Sequence, residues 1–432
     1  MHVLLVAYRF PPQSGGGVLR PHKFAKYLTR AGVRVTVLTV GPVSGQMPPD
    51  LPSDVRIVQI PEGGLMPRLR RLPKAKNRSP LNIRNRALVL ARLGLFNWMV
   101  PDEHAGWIGP ATAAASRAEL KDVDVVLATG GPWSDFFVGE GLARRLGVPL
   151  VFDYRDPWTT GPPGWPYAPG LRARPQARAN ERRLAGKASM IVSAHAGLPA
   201  LLEKTLELPG LSERCHWIPN GYDSEDFLGI QPRSSDRFTL TWTGSLYAGR
   251  SLEPVFRALA ELGREGKIPL DRVKLQIYGV PPDRVRAQCA DPTLRANLDA
   301  PGDVPHDQAL AAILGSTLNL LVDISYDGPV MHTPGKLYEY LAAGRPVLSL
   351  SPEGVQADLI RQAEGGWVVR PDDHAGLRAA LADAYTRWSA GQELPRPLAP
   401  VIEFYDRKRS TAKLQGLLEE LVGRRERKNG TA

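Results

Sequence analysis

A chain of 432 residues is too long for most single hydrophobic cores, so two domains are expected. Apolar residues make up 43% and charged residues 23%, an ordinary globular balance, and the two cysteines, Cys215 and Cys289, exclude a disulfide scaffold and stand in no zinc spacing. A net charge of +11 points to anionic partners such as nucleotides, phospholipid headgroups or nucleic acid.

The opening "HVLLVAY" reads as a buried strand, because its apolar run is too short for a signal peptide before Tyr8 and Arg9. No stretch approaches the roughly 20 apolar residues of a membrane span, and a reducing cytoplasm fits the cysteine usage. The amphipathic helix "VLRPHKFAKYLTRAG" and the strand "VRVTVLTV" follow. Between them and the first strand lies "FPPQSGGGVLRP". Its glycines Gly15, Gly16 and Gly17 would let backbone N–H groups approach a phosphate at a helix start, or simply form a flexible turn. The loop has neither the GxGxxG spacing nor a Walker lysine–serine pair.

From Glu62 to Asp102 there is no acidic residue, while Arg68, Arg70, Arg71, Lys74, Lys76, Arg78, Arg84, Arg86 and Arg92 crowd the stretch, which then turns apolar in "ALVLARLGLFNWMV" with Trp98. The strand "DVVLATG", the glycine pair and helix of "GGPWSDFFVGEGLARRLG", and the strand "PLVFDYR" come next. "VFDYRDPW" leaves Asp153, Arg155 and Asp156 at a strand's carboxyl end, as a site or as a local ion pair around Arg155. "RANERRLAGKA" is a helix and "SMIVSA" a strand. Strands with non-alternating apolar runs between helices imply a parallel sheet covered on both faces.

The second half repeats this grammar after a polar stretch, "LGIQPRSSDR", read as a linker over 226–237. "FTLTWTG" is a strand ending at Gly244, and Arg250 stands just before the helix "LEPVFRALAELGREG". "VKLQIYG", "HDQALAAILGS" and "TLNLLVDI" alternate strand, helix and strand. "TPGKLYEYLAAGRPVL" then reads as a helix capped by Thr333, with Pro334 in the first position and Gly344 as the stop. Lys336 breaks the capping pattern, because a cation opposes the positive end of the helix dipole. Arg250 is a second such misfit. One pyrophosphate lying between two cations at strand ends would explain both. Glu339 could then accept the vicinal hydroxyls of a ribose; the plainer alternative is an i,i+3 surface ion pair with Lys336.

Two features are set aside. "DVD" at Asp122–Asp124 precedes a strand and reads as its solvated start rather than a metal motif. His104, His306 and His332 have no HxH or HxxxH partner, so no metal is expected.

Several of these segments resemble one family. "HWIPNGYDSEDF" looks like the "IPNGxD" signature of retaining, GT-B fold glycosyltransferases of family four, and "TPGKLYEYLAAGRPVL" like that family's "PxKxxEYxAxGxPV". "GGPWSDFF" and "GVPLVFDYRDPW" are similar to the corresponding stretches of bacterial polysaccharide-type members. The resemblance implies two Rossmann-like α/β domains facing a cleft. Residues 1–225 would form an acceptor-side domain and 238–400 a nucleotide-sugar domain, with 401–432 carrying a helix that returns to the first. It implies sugar transfer from a nucleotide sugar with retention, usually without metal or other cofactor. Arg250 and Lys336 would bind the donor diphosphate and Glu339 the ribose. Gly16 and Gly17 would lie against the donor phosphate and sugar, Gly244 would lie in the donor site, and Asp156 would face the reacting centre.

The chain departs from the family at three places. Met331 stands where the first of two glutamates is usual, Ser245 where an arginine is usual, and Arg250 where lysine is usual. The basic-then-apolar stretch with Arg70, Arg71, Lys74, Lys76 and Trp98 suits an anionic membrane surface carrying a lipid-linked acceptor, or is a solvated loop and a packed helix. Nucleic acid is not expected, since no helix-turn-helix, OB or RRM pattern is present. A UDP-sugar 2-epimerase of the same fold and a catalytically silent nucleotide-sugar-binding partner are the alternatives.

Overall fold

A computed structural model of the chain describes residues 1–13, 15–64, 100–161, 169–246, 249–324 and 332–430. The sequence positions Arg70, Arg71, Lys74, Lys76, Trp98 and Met331 lie outside the described residues. The chain divides into two compact units: Met1–Asn220 with Lys408–Ala432, and Gly221–Arg407.

The first unit is built on β1 (His2–Val6), β2 (Arg34–Val40), β3 (Arg56–Ile60), β4 (Val125–Thr129), β5 (Leu150–Tyr154), β6 (Met190–Ser193) and β7 (Cys215–Trp217). These form one sheet in the order β3-β2-β1-β4-β5-β6-β7. Every pairing is parallel, with Val3 opposite Val35 on one side and Val125 on the other. β1, β4 and β5 are buried at every position, which is why their sequences do not alternate. Among the described residues, and besides the last helix of the chain, the helices of eight residues or more in this unit are α1 (Gly16–Arg30), α2 (Ser134–Leu146), α3 (Arg174–Lys187) and α4 (Leu198–Leu206).

The second unit holds β8 (Phe238–Thr243), β9 (Val273–Tyr278), β10 (Leu298–Gly302), β11 (Leu318–Val322), β12 (Val347–Leu350) and β13 (Gly366–Val369). Its sheet has the order β10-β9-β8-β11-β12-β13 and is again wholly parallel. Its longer helices are α5 (Glu253–Arg264), α6 (His306–Gly315), α7 (Gly335–Ala342), α8 (Val355–Gln362) and α9 (His374–Ser389). Each sheet reverses its strand order beside its first strand, so both units are doubly wound, Rossmann-like domains.

The last helix, α10 (Arg407–Gly430), belongs to the first unit from Lys408 onward. Leu414 and Leu418 insert among Val3, Leu5 and Phe10, and Lys413 Nζ donates to the Trp217 carbonyl at 3.0 Å. The stretch 226–237 is held in the second unit: Phe227 and Ile230 pack on the cluster around Leu337 and Tyr340, and Arg233 N–H donates to the Ala311 carbonyl.

Inside the first unit, two buried charged groups are held by hydrogen bonds. Arg20, 1% exposed, grips Asp153 with Nε at 3.0 Å and Nη2 at 2.8 Å. Its Nη1 and Nη2 also donate to the carbonyls of Pro219 and Ile218, and Thr129 Oγ1 donates to Asp153. Glu181 on α3 is wholly buried and accepts from the backbone N–H and hydroxyl of Thr159, fastening the loop that follows β5. Burial pushes its carboxyl up to about 7, against the hydrogen bonds from Thr159.

That shift has a testable sign. A carboxyl whose folded pKa exceeds its unfolded value stabilises the fold at low pH, and the benefit is lost as pH rises from about 4.5 to about 7. Glu181→Gln keeps an acceptor for Thr159 without the ionisation. It is expected to be more stable than the wild type at about pH 8, by on the order of 1–3 kcal/mol. Denaturant unfolding of both proteins at about pH 5 and about pH 8 checks this, and an unchanged difference between the two pH values would contradict it.

Candidate donor and acceptor-side sites

In the second unit the chemistry gathers at the carboxyl end of the sheet. β8 ends in Trp242 and Thr243, and Gly244 follows with φ +90°, a left-handed conformation that suits glycine. A Cβ on Gly244 would sit 3.2 Å from Lys336 Nζ, so the missing side chain gives the ammonium its room. Trp242 is locked by its Nε1–H to the Gly244 carbonyl at 2.6 Å. α7 is tied to the same strand end by Tyr340, whose buried hydroxyl accepts from Thr243 N at 2.9 Å.

α7 begins one residue later than expected. Pro334 occupies the N-cap, no side chain caps the helix, and Gly335 is its first residue. Thr333 therefore does not cap. Proline has no N–H to satisfy and its fixed φ suits a helix entrance, so it serves as the boundary. At the other end Gly344 has φ +66° and donates its N–H to the Leu341 carbonyl, which makes it the stop.

Lys336 lies in the first turn of α7, with its Nζ 3.4 Å from the centre of the Trp242 ring. The residue is half-buried, but its charged end rests against the indole and the Gly244 wall. Among the described residues it makes no hydrogen bond or ion pair. Burial, and then the Arg250 charge, push its ammonium down to about 7, against the pull of Glu339 and Asp323. The indole face gives the charged form a partner.

Arg250 is not a solvated misfit. It is 6% exposed, and its Nη2 lies 2.8 Å from Asp323 Oδ1. Glu339, one turn along α7 from Lys336, is held through Oε1 by His306 Nε2 at 3.0 Å. It makes no ion pair with Lys336 among the described residues. Four of the six predicted donor residues, Gly244, Arg250, Lys336 and Glu339, thus gather near the carboxyl ends of the paired strands β8 and β11. A buried carboxylate and two histidines join them, because His332 Nε2 stands 3.4 Å from Asp323 Oδ2. Sequence reasoning missed Asp323. Its signal was the one used for Asp153, a charge at the end of an apolar strand, here "TLNLLVDI".

In the first unit the predicted residues meet around Arg155. Its Nη1 donates to the Gly17 carbonyl at 2.9 Å, its Nη2 to the Gly131 carbonyl at 2.9 Å, and its Nε to Asp156 Oδ2 at 3.1 Å. A Cβ on Gly17 or Gly131 would press on the guanidinium at 2.8 and 2.5 Å, so the glycines make space for the clamp. Gly16 opens α1 beside Gly17. Asp156 is thereby fixed in direction at the carboxyl end of β5, by the local ion pair that its spacing allowed. Asp153 has a different partner, the buried Arg20. A buried Asp135 at the start of α2, unnoticed in the sequence, accepts from Tyr8 N at 3.0 Å. Burial pushes its carboxyl well above the usual range, against the hydrogen bond from Tyr8. His104 packs its ring 4.2 Å from that of Tyr8.

The fold is matched by known proteins. Residues 15–221 match the model of the glycosyl transferase 4-like domain, and residues 237–387 that of the glycosyl transferases group 1. No curated protein sequence matches the chain. Among solved structures, a glycosyltransferase from Rickettsia africae superposes with a TM-score of 0.64 at 14% identity, covering 98% of both chains. HepE of Anabaena, in complex with UDP-glucose, gives 0.61 at 15% identity over 97% of this chain and 100% of its own. A trehalose 6-phosphate synthase from Burkholderia multivorans gives 0.64 at 12% identity over 99% and 98%. With both halves matched in sequence and the whole length matched in fold, the chain belongs to the glycosyltransferases of the GT-B fold.

Proposed function

We propose that this glycosyltransferase moves a sugar from a nucleotide-sugar donor to a saccharide or lipid-linked acceptor with retention of configuration, in cell-surface polysaccharide or glycolipid assembly. The observation that carries the reading is that two cations, Lys336 and Arg250, neighbour each other near the carboxyl ends of β8 and β11, with Glu339 a turn away from the lysine. A diphosphate at the amino end of α7 would meet both cations and the unpaired N–H groups of the first turn. Glu339, held by His306 on one oxygen, would offer the other to a ribose hydroxyl. The UDP-glucose bound by HepE supports a donor of this class.

The chemical step then follows from charge. As the sugar leaves, negative charge grows on the diphosphate, and pre-placed cations stabilise it more in the transition state than in the ground state. These cations supply the neutralisation for which other transferases use a metal, so we propose transfer without one. Asp156, aimed by Arg155, is the proposed group facing the reacting centre from the first unit. Attack from the face that the leaving group vacates gives retention.

The nucleoside diphosphate is expected to bind the full-length protein in calorimetry. Lys336→Ala and Glu339→Ala should each weaken it, by about 10- to 100-fold for the lost charge-assisted bonds. Wild-type affinity in both variants would sink the donor site. The lysine adds a pH dependence. Donor binding favours the ammonium, so affinity should fall as pH rises through about 7, the pKa of the free protein's lysine. Affinity measured from about pH 6 to about pH 8.5 should show that fall in the wild type and a flat profile in Lys336→Ala.

For the acceptor we propose work in the cytoplasm, at an anionic membrane surface. No helix among the described residues is long and apolar enough to cross a membrane, so attachment would be peripheral. The support is the run of basic residues with Arg70, Arg71, Lys74 and Lys76, followed by Trp98. The wild type is expected to sediment with phosphatidylglycerol vesicles, and Gln at those four basic positions to abolish it. A wild type that stays in the supernatant would end the membrane proposal.

A further inference from the structure

Asp323 lies directly after β11 and is wholly surrounded. Oδ1 accepts from Arg250 Nη2 at 2.8 Å and from Ile324 N at 2.8 Å. Oδ2 accepts from Gln356 Nε2 at 3.2 Å and faces His332 Nε2 at 3.4 Å. The carboxylate therefore joins three pieces of chain that are apart in sequence: the segment between β8 and α5, the segment entering α7, and the first turn of α8. Burial alone would raise its pKa, but His332 and Arg250 outweigh burial and keep it below the usual carboxylate range.

An anion here is costly for a site that receives a diphosphate, because like charges repel in a poorly solvated place. Its presence calls for a compensating role. An arginine side chain has many rotamers to lose on binding, and a fixed acceptor removes that freedom before the ligand arrives. Fixing the fork in advance also sets its angle, which matters for a planar donor and not for a lysine ammonium.

We propose that Asp323 is the positioning residue of the donor site: it aims the Arg250 guanidinium and, through His332, tethers the entrance to the helix carrying Lys336 and Glu339. This rests on the donor-site reading above. It also ties one departure from the family, arginine at position 250, to a buried partner.

Two accounts of Asp323 predict opposite signs. If it only balances charge, its removal should tighten diphosphate binding. If it positions Arg250, removal should weaken binding despite the gain in positive charge. The probe is whichever of UDP, GDP and ADP the wild-type protein binds best in calorimetry, with thermal unfolding recorded for every variant. Asp323→Ala is expected to weaken binding about tenfold. Asp323→Asn, which keeps an acceptor for Arg250, should stay within about threefold of wild type and not bind more tightly. In an Arg250→Lys background, where no planar fork remains, Asp323→Ala should cost less than about twofold. Tighter binding in either Asp323 variant, or additive effects of Arg250→Lys and Asp323→Ala, would overturn the proposal. If Asp323→Ala does not fold, the Asn variant alone and in the lysine background decides by the same signs. Weakened binding in Lys336→Ala with unaltered binding in the Asp323 variants would remove this inference alone. Failure of every nucleoside diphosphate to bind the wild type would remove the donor-site reading and this inference together.

Discussion

Both domains obey one constraint: their sheets are wholly parallel and their central strands are buried along their length. A charge cannot sit in the middle of such a strand without a partner. It can sit at the carboxyl end, where loops and helix starts supply donors. The two domains use this position in parallel ways. Each has a buried aspartate at a strand end, Asp153 and Asp323, and each aspartate takes an arginine that follows the domain's first strand, Arg20 and Arg250.

The two pairs nevertheless differ in use. Every nitrogen of Arg20 has a protein acceptor, including two main-chain carbonyls before Asn220, so that fork is spent on holding the domain together. Breaking such a pair leaves a buried charge, and its role is structural. Arg250 stands beside Lys336, with a glycine and an indole face forming the wall between strand and helix. There the same pairing would set an orientation at the proposed diphosphate site. Lys336 is the complement. Burial and its cationic neighbour make its charge costly in the free protein, and a diphosphate would remove that cost.

Much of the fold was legible because it is local. Non-alternating runs such as "HVLLVAY" and "TLNLLVDI", and amphipathic runs between them, identify strands and helices from a few neighbouring residues. The misplacement of one residue at Thr333 shows the limit of that legibility, since Pro334 and Thr333 are both acceptable boundaries by local rules. Lys336 and Glu339 stood out because each broke or extended a local pattern. Arg20 did not stand out, being one basic residue in an amphipathic helix. Its partner Asp153 lies 133 positions away, and only the sheet brings them together.

By itself the sequence determined the alternation of strands and helices, the division into two halves, and the residue types available at each strand end. These follow from periodicity, from proline and glycine placement, and from charge, all of which act over a few residues. Only the tertiary structure decided who pairs with whom. It turned Arg250 toward Asp323 and Glu339 toward His306, and it set Lys336 on Trp242. It also made Arg155 a clamp on two glycine loops. The reason is physical: a pairing depends on burial and on the register of strands far apart in the chain, and neither quantity exists until the sheet has formed.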